Sequence, residues 1–210
     1  MVEYLSLEEG IFLVRLARRT IEHELGIGDR PEVNASELSD RLRESRGVFT
    51  SLYKINDRKE LRGCIGYPYP IKPLYLAVMD TARESAFNDP RFPPLSRDEI
   101  NSIIIELSIL TPMEKIEYNN PLELPKMIII GRDGLMLKYG LYSGLLLPQV
   151  PVEYNWSPEE YLIHLSMKAG LPADGYLYEG VEIYRFEVQI FSEESPNGVI
   201  VEKDISSCSV

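Results

Sequence analysis

Ile103-Ile104-Ile105-Glu106-Leu107-Ser108-Ile109-Leu110 is almost wholly apolar and rich in β-branched side chains. A run of this kind is costly to expose on either side, so it predicts a central strand covered on both faces. The rest of the chain must supply that cover. The single charge in the run, Glu106, needs a partner or a raised pKa. That makes it a candidate for acid/base chemistry, beside the simpler role of a buried ion pair.

Helices for the cover are legible. Ser6 and Glu9 form a capping box ahead of Leu7, Ile11, Val14, Ala17, Ile21 and Leu25 at helical spacing, and Gly26 follows as a stop. A shorter helix is expected from about Ser36 to before Gly47. Pro73 suits the first turn of a helix whose stripe is Leu74, Ala77, Val78, Thr81, Ala82 and Ser85. Ser157, Pro158 and Glu160 open a third long helix, closed by Gly170.

Between the helices lie hairpins. Val48 to Ile55 and Leu61 to Tyr67 flank the polar turn Asn56-Asp57-Arg58-Lys59. Met127 to Ile130 and Leu135 to Tyr139 flank Gly131-Arg132-Asp133-Gly134, which predicts a second hairpin. Val181 to Phe191 alternates as one long final strand, and a tail is expected from about Val201. With no strand-helix-strand cadence, these elements predict an α+β fold of mainly antiparallel sheets packed against helices.

Composition narrows the function classes. Against 22 basic residues stand 33 acidic ones, and the net charge of −11 disfavours nucleic acid as a partner. No signal-like start and no membrane-spanning run is visible, so a soluble cytoplasmic protein without membrane association is expected. Cys64 and Cys208 are far apart, and His23 and His164 are isolated. Neither a disulfide framework nor a metal centre nor a resident cofactor is expected from them.

Leu61-Arg62-Gly63-Cys64-Ile65-Gly66 carries the densest chemistry. Strict alternation sends Leu61, Gly63 and Ile65 to one face and Arg62, Cys64 and Gly66 to the other, so thiol and guanidinium would project together. Two glycines in a strand suggest a bend or the close approach of a ligand or a second backbone. Cys64 is a candidate nucleophile, activated by Arg62, or else a small buried apolar residue. Arg62 and Arg91 together suit a small anionic ligand. The simpler alternative pairs Arg91 with Asp89 and Arg62 with Glu106. Tyr67, Tyr69, Tyr75 and Phe92 are candidates for a stacking pocket or for ordinary packing.

These segments resemble the AMMECR family, whose founding member lies in the human chromosomal region linked to Alport syndrome, midface hypoplasia and elliptocytosis. Leu61 to Gly66 is similar to its LRGCIG signature, Asp89-Pro90-Arg91-Phe92-Pro93-Pro94 to its DxRFPP loop, and Ile105 to Pro112 to its central strand. Residues 130–135, 144–150 and 168–172 resemble its archaeal branch. The resemblance covers nearly the whole chain. It implies one family domain over residues 1–210, made of two α+β subdomains with the signature strand near the cleft between them.

No established reaction comes with the resemblance. It implies, by gene context, radical-SAM or Memo-like protein partners, and any radical chemistry would be theirs, since the chain lacks CxxxCxxC. Archaeal relatives often carry cysteine at the positions of Ser166 and near Gly175, which this sequence does not.

Two readings stay open. One is an enzyme with Cys64 and Glu106 catalytic and Arg62, Gly63, Gly66, Asp89 and Arg91 holding a small anionic substrate. The other is a non-catalytic adaptor that binds a peptide or a partner enzyme at the same groove. RNA binding is a distant third.

Overall fold

The computed structural model describes residues 4–55 and 59–205. It is an α+β protein of two compact units, Met1–Leu110 with Gln189–Lys203 and Thr111–Val188 with Asp204–Val210.

In the first unit, α1 (Leu7–Glu24) starts on the expected capping box and buries Leu13, Val14, Leu16, Ala17 and Ile21. The stripe is wider than expected and omits Leu7, which is 46% exposed in the first turn. Where one helix was expected from Ser36, a 3₁₀ turn (Ala35–Glu37) precedes the single-turn α2 (Asp40–Arg43). Asn34 accepts from the Ser36 amide, and Leu38 and Ser39 are extended. These short polar side chains favour caps over helix interiors, so the helix is interrupted.

β1 (Val48–Ile55) and β2 (Lys59–Tyr67) pair antiparallel; most of the turn expected between them lies outside the described residues. Then come α3 (Leu74–Phe87), which buries the whole expected stripe, and β3 (Ile103–Leu110), buried at every position.

The second unit holds the short strand β4 (Glu114–Lys115), the helical turn α4 (Leu124–Met127), β5 (Gly134–Tyr139) and β6 (Tyr142–Leu146). It continues with α5 (Gln149–Glu153), α6 (Pro158–Lys168) on its capping box, and β7 (Glu182–Phe186). The chain returns to the first unit through β8 (Val188–Glu193) and β9 (Ile200–Lys203). One sheet has the order β2-β1-β3-β8-β9 and the other β4-β7-β5-β6.

Three expectations are corrected here. The second hairpin turns at Gly140-Leu141, with Tyr139 opposite Tyr142 and Gly140 at φ 56°, a conformation glycine adopts without strain. Gly131 to Gly134 is a tight turn in front of β5, where the buried Asp133 carboxylate accepts from the Ile129 amide at 2.8 Å and from the neighbouring Arg132. The long final strand is broken at Glu187, whose backbone serves Thr111 instead of a ladder: its carbonyl accepts from the Thr111 amide and its amide donates to Thr111 Oγ1. β7 and β8 therefore enter different sheets. The tail expected from Val201 begins as a strand, with Val201 opposite Ser192 and Lys203 opposite Ile190; residues 206–210 lie outside the described residues.

Candidate functional site

Leu61 to Gly66 lies on β2, an edge of the five-stranded sheet. Leu52 of β1 faces Gly63 while its neighbour Tyr53 faces Leu61, so Arg62 is an extra residue in a β-bulge. This corrects the strict alternation: Leu61 and Gly63, expected on one face, lie opposite residues that point to opposite faces. The bulge also takes Arg62 out of step with Cys64.

Gly63 faces α3. A Cβ there would meet the Ser85 carbonyl oxygen at 2.1 Å, so the close approach expected of this glycine is made by a second backbone. A Cβ on Gly66 would strike the Phe49 ring at 2.2 Å. Ser85 ties the layers together, as its hydroxyl accepts from the Ile65 amide and donates to the Thr50 carbonyl.

Cys64 points to the other face. Ser51 stands directly opposite it, and on its far side Ser51 stands opposite Glu106 of β3. Cys64, Ser51 and Glu106 thus form one row across three strands, with Ser51 Oγ donating to Cys64 Sγ at 3.2 Å. Both residues predicted to carry chemistry are brought to one face, separated by a residue that sequence reading missed. Counting from the Ile55–Lys59 pair would set Thr50 opposite Cys64, and the bulge moves Ser51 into that place.

The open edge of β2 is held by the loop after α3. Asp89 is buried, and its carboxylate accepts from the Cys64 amide at 2.8 Å, from the Arg91 amide at 3.1 Å, and from Arg91 Nε and Nη2 at 2.9 and 2.7 Å. Arg91 Nη2 also donates to the Cys64 carbonyl at 3.0 Å. One ion pair therefore satisfies both outward backbone groups of Cys64, as a neighbouring strand would. The expected Asp89–Arg91 pair is present. Arg91 pulls the Asp89 carboxyl down to about 2 against the opposing effect of burial, helped by the two backbone amides.

Arg62 does not pair with Glu106. Its Nε and Nη2 donate to the two oxygens of Glu99 at 2.9 and 3.1 Å, and Glu99 also accepts from the Ser96 amide and hydroxyl. Arg62 brings Glu99 down to about 2, again against burial. Glu106 meets Lys59 and Lys203 instead, at 3.0 and 2.9 Å. Phe92 lies near both arginines, with their guanidinium carbons 5.9 and 5.4 Å from its ring centre.

The thiol is partly exposed, and its pKa is raised. Burial is the largest influence and outweighs the Ser51 hydrogen bond and the attraction of Arg91, which favour the thiolate. The cation acting on it is thus Arg91 and not Arg62. The histidines stand elsewhere: His23 ends α1, and His164 stacks on Trp156 with ring centres 3.8 Å apart. Among the described residues, no group of three or more His, Cys, Asp or Glu is placed to hold a metal ion, and no helix is long and apolar enough to cross a membrane.

The AMMECR1 family profile matches residues 14–191. The chain belongs to the AMMECR1 family. Protein MJ0810 of Methanocaldococcus jannaschii is 53% identical over 206 residues, covering 96% of this chain and 98% of that one. Protein MK0488 of Methanopyrus kandleri is 51% identical over 208 residues, covering 98% and 99%. The crystal structure of uncharacterized protein PH0010 from Pyrococcus horikoshii superposes with a TM-score of 0.86 at 48% identity, over 94% of this chain and 97% of that one. The resemblance read from the sequence and the α+β fold it implies are both borne out. The Leu61–Gly66 segment of this family member lies on an edge strand whose cysteine is fixed through its backbone by the Asp89–Arg91 loop.

Proposed function

We propose that the signature segment of this AMMECR1 protein is a recognition surface and not a reaction centre. The chain acts in the cytoplasm as a non-catalytic adaptor that docks a peptide or partner protein beside the thiol face of β2. The observation that carries this reading is that each charged candidate already engages another side chain: Arg62 with Glu99, Arg91 with Asp89, Glu106 with Lys59 and Lys203. A thiol whose pKa is raised by burial keeps its proton at neutral pH and is a slow nucleophile. The family resemblance points to a radical-SAM or Memo-like protein as the partner.

A second reading draws on the row Cys64–Ser51–Glu106. There Cys64 is nucleophile or covalent anchor, Glu106 moves or orients a proton, and Arg62, Gly63, Gly66, Asp89 and Arg91 surround a small anionic substrate.

One experiment separates the two. In the Cys208→Ser protein, Cys64 is alkylated with iodoacetamide at neutral pH beside free cysteine. The adaptor reading expects Cys64 to react more slowly, together with retention of a Memo-like or radical-SAM protein from a native extract. Alkylation faster than free cysteine overturns it in favour of the enzyme.

A further inference from the structure

A cavity of about 580 Å³ lies against the outer side of α1, far in sequence from the signature, and all of its lining belongs to the first unit. Ile11, Phe12 and Ile200 give it apolar walls, and Arg15, Arg19 and Asn197 add polar ones. Its size falls within the range of small-molecule sites. One rim is the connection between β8 and β9. That loop is held by hydrogen bonds from the Glu194 amide to the Val199 carbonyl and from the Gly198 amide to the Ser195 carbonyl, and it carries Asn197 at φ 56°.

The charges lining this cavity are unevenly engaged. Arg18 is buried and grips Glu193 through Nε and Nη2 at 2.5 and 2.6 Å, and its Nη1 lies 3.9 Å from Glu22. Glu193 is further occupied by the Ile105 amide. Arg15 and Arg19 are exposed and meet no partner among the described residues. For Arg15 the helix register denies one: positions three and four away are Phe12, Ile11, Arg18 and Arg19. Two carboxylates remain: Glu8, seven residues before Arg15 and about 10 Å along the axis, and Glu22, three residues after Arg19, whose contact is with Arg18. Two adjacent guanidinium groups thus stand beside an apolar wall with no direct hydrogen bond or ion pair among the described residues.

We propose that this cavity binds a small organic phosphate monoester, its phosphate held between Arg15 and Arg19 and its apolar body against Ile11, Phe12 and Ile200. Guanidinium forks match phosphate oxygens in pairs. A monoester carrying about −1.5 to −2 charges balances two arginines, which a carboxylate with a single charge does not.

Calorimetric titration of the full chain at low ionic strength tests this, with phenyl phosphate as the probe and phenylacetate and inorganic phosphate as comparisons. Phenyl phosphate is expected to bind at one site, tighter than either. Arg15→Gln and Arg19→Gln should each weaken it about tenfold, the double Lys variant should weaken it less than the double Gln variant, and Glu8→Gln should strengthen it. Both arginines are exposed, so the variants should melt with the parent protein. The proposal is overturned if phenyl phosphate gives no saturable heat, if phenylacetate or inorganic phosphate binds as tightly, or if the glutamine variants bind like the parent.

Discussion

Lys59 and Lys203 stand on the two edge strands of the five-stranded sheet and close on the same atom, Glu106 Oε2 of the central strand. Each ammonium crosses one intervening strand to get there. Burial pushes the Glu106 pKa up, but the two lysines outweigh it and hold the carboxyl below its ordinary range. The charge that made the central strand hard to account for is thus what ties the two edges of the sheet to its middle.

Losing one lysine leaves the other in place, so Lys59→Ala and Lys203→Ala should each cost little, about 1 kcal/mol or less, because both ammonium groups are partly in water. The double variant strands a buried carboxylate without a counter-charge and should cost roughly 3 kcal/mol or more. Urea unfolding of the four proteins would give a cycle in which the double loss exceeds the sum of the singles. Strict additivity would show that the lysines do not act on one shared group.

Gly63→Ala should be among the most damaging single-methyl changes in the chain. The added carbon would lie 2.1 Å from the Ser85 carbonyl oxygen, and that atom is helix backbone, which cannot swing aside. Separating α3 from β2 should cost about 3 kcal/mol, at the upper end of overpacking effects. The measurement is the melting temperature, expected to fall by roughly 6 to 12 °C for a chain of this length.

Much of this architecture was legible because single segments carried their own instructions. Ser6 with Glu9 and Ser157 with Glu160 form capping boxes that specify helix starts locally, and the α3 stripe is buried as its spacing requires. The errors arose where tertiary partners overrode local pattern. Val181 to Phe191 alternates smoothly, yet Thr111, seventy-six residues from Glu187, takes up the backbone at Glu187 and splits the strand. Arg62 was assigned to Cys64's face by a count of two, and the bulge at Leu52/Tyr53 breaks that count. Nothing in sequence spacing signals that Arg62 reaches Glu99 or that Lys203 reaches Glu106. Ser51 was hidden by the same bulge: counting from the Ile55–Lys59 pair sets Thr50 opposite Cys64, and the place of Ser51 opposite Glu106 depends on the separate, long-range β1–β3 register.

Acid should loosen the signature region before neutral or mildly alkaline pH does. Asp89 and Glu99 sit at about 2 in the folded protein, below ordinary carboxyl values near 4. Because folding depresses both, their stabilisation is complete above about pH 4.5 and is lost as pH falls toward 2. Each should contribute about 2 kcal/mol, less for Asp89 because its partner Arg91 is half in water. Unfolding free energy measured from pH 6 to pH 2.5 should fall steeply in the parent. Glu99→Gln should be less stable at pH 6 and show a shallower fall. An equally steep fall in that variant would place the acid sensitivity elsewhere.

Ser51→Ala addresses the thiol itself. Ser51 Oγ donates to Cys64 Sγ, and a hydrogen bond of that polarity favours the thiolate, working with Arg91 against the burial that raises the pKa. Removing the hydroxyl leaves burial less opposed. In the Cys208→Ser background, the midpoint of the alkylation rate against pH should therefore move upward, because a hydrogen bond to the charged form is lost. Arg91→Gln should move it the same way, since it removes the nearest cation. A midpoint that falls in Ser51→Ala would mean that the hydroxyl accepts from the thiol and holds it protonated, and the row Cys64–Ser51–Glu106 would then run its proton toward the serine and away from the sulfur.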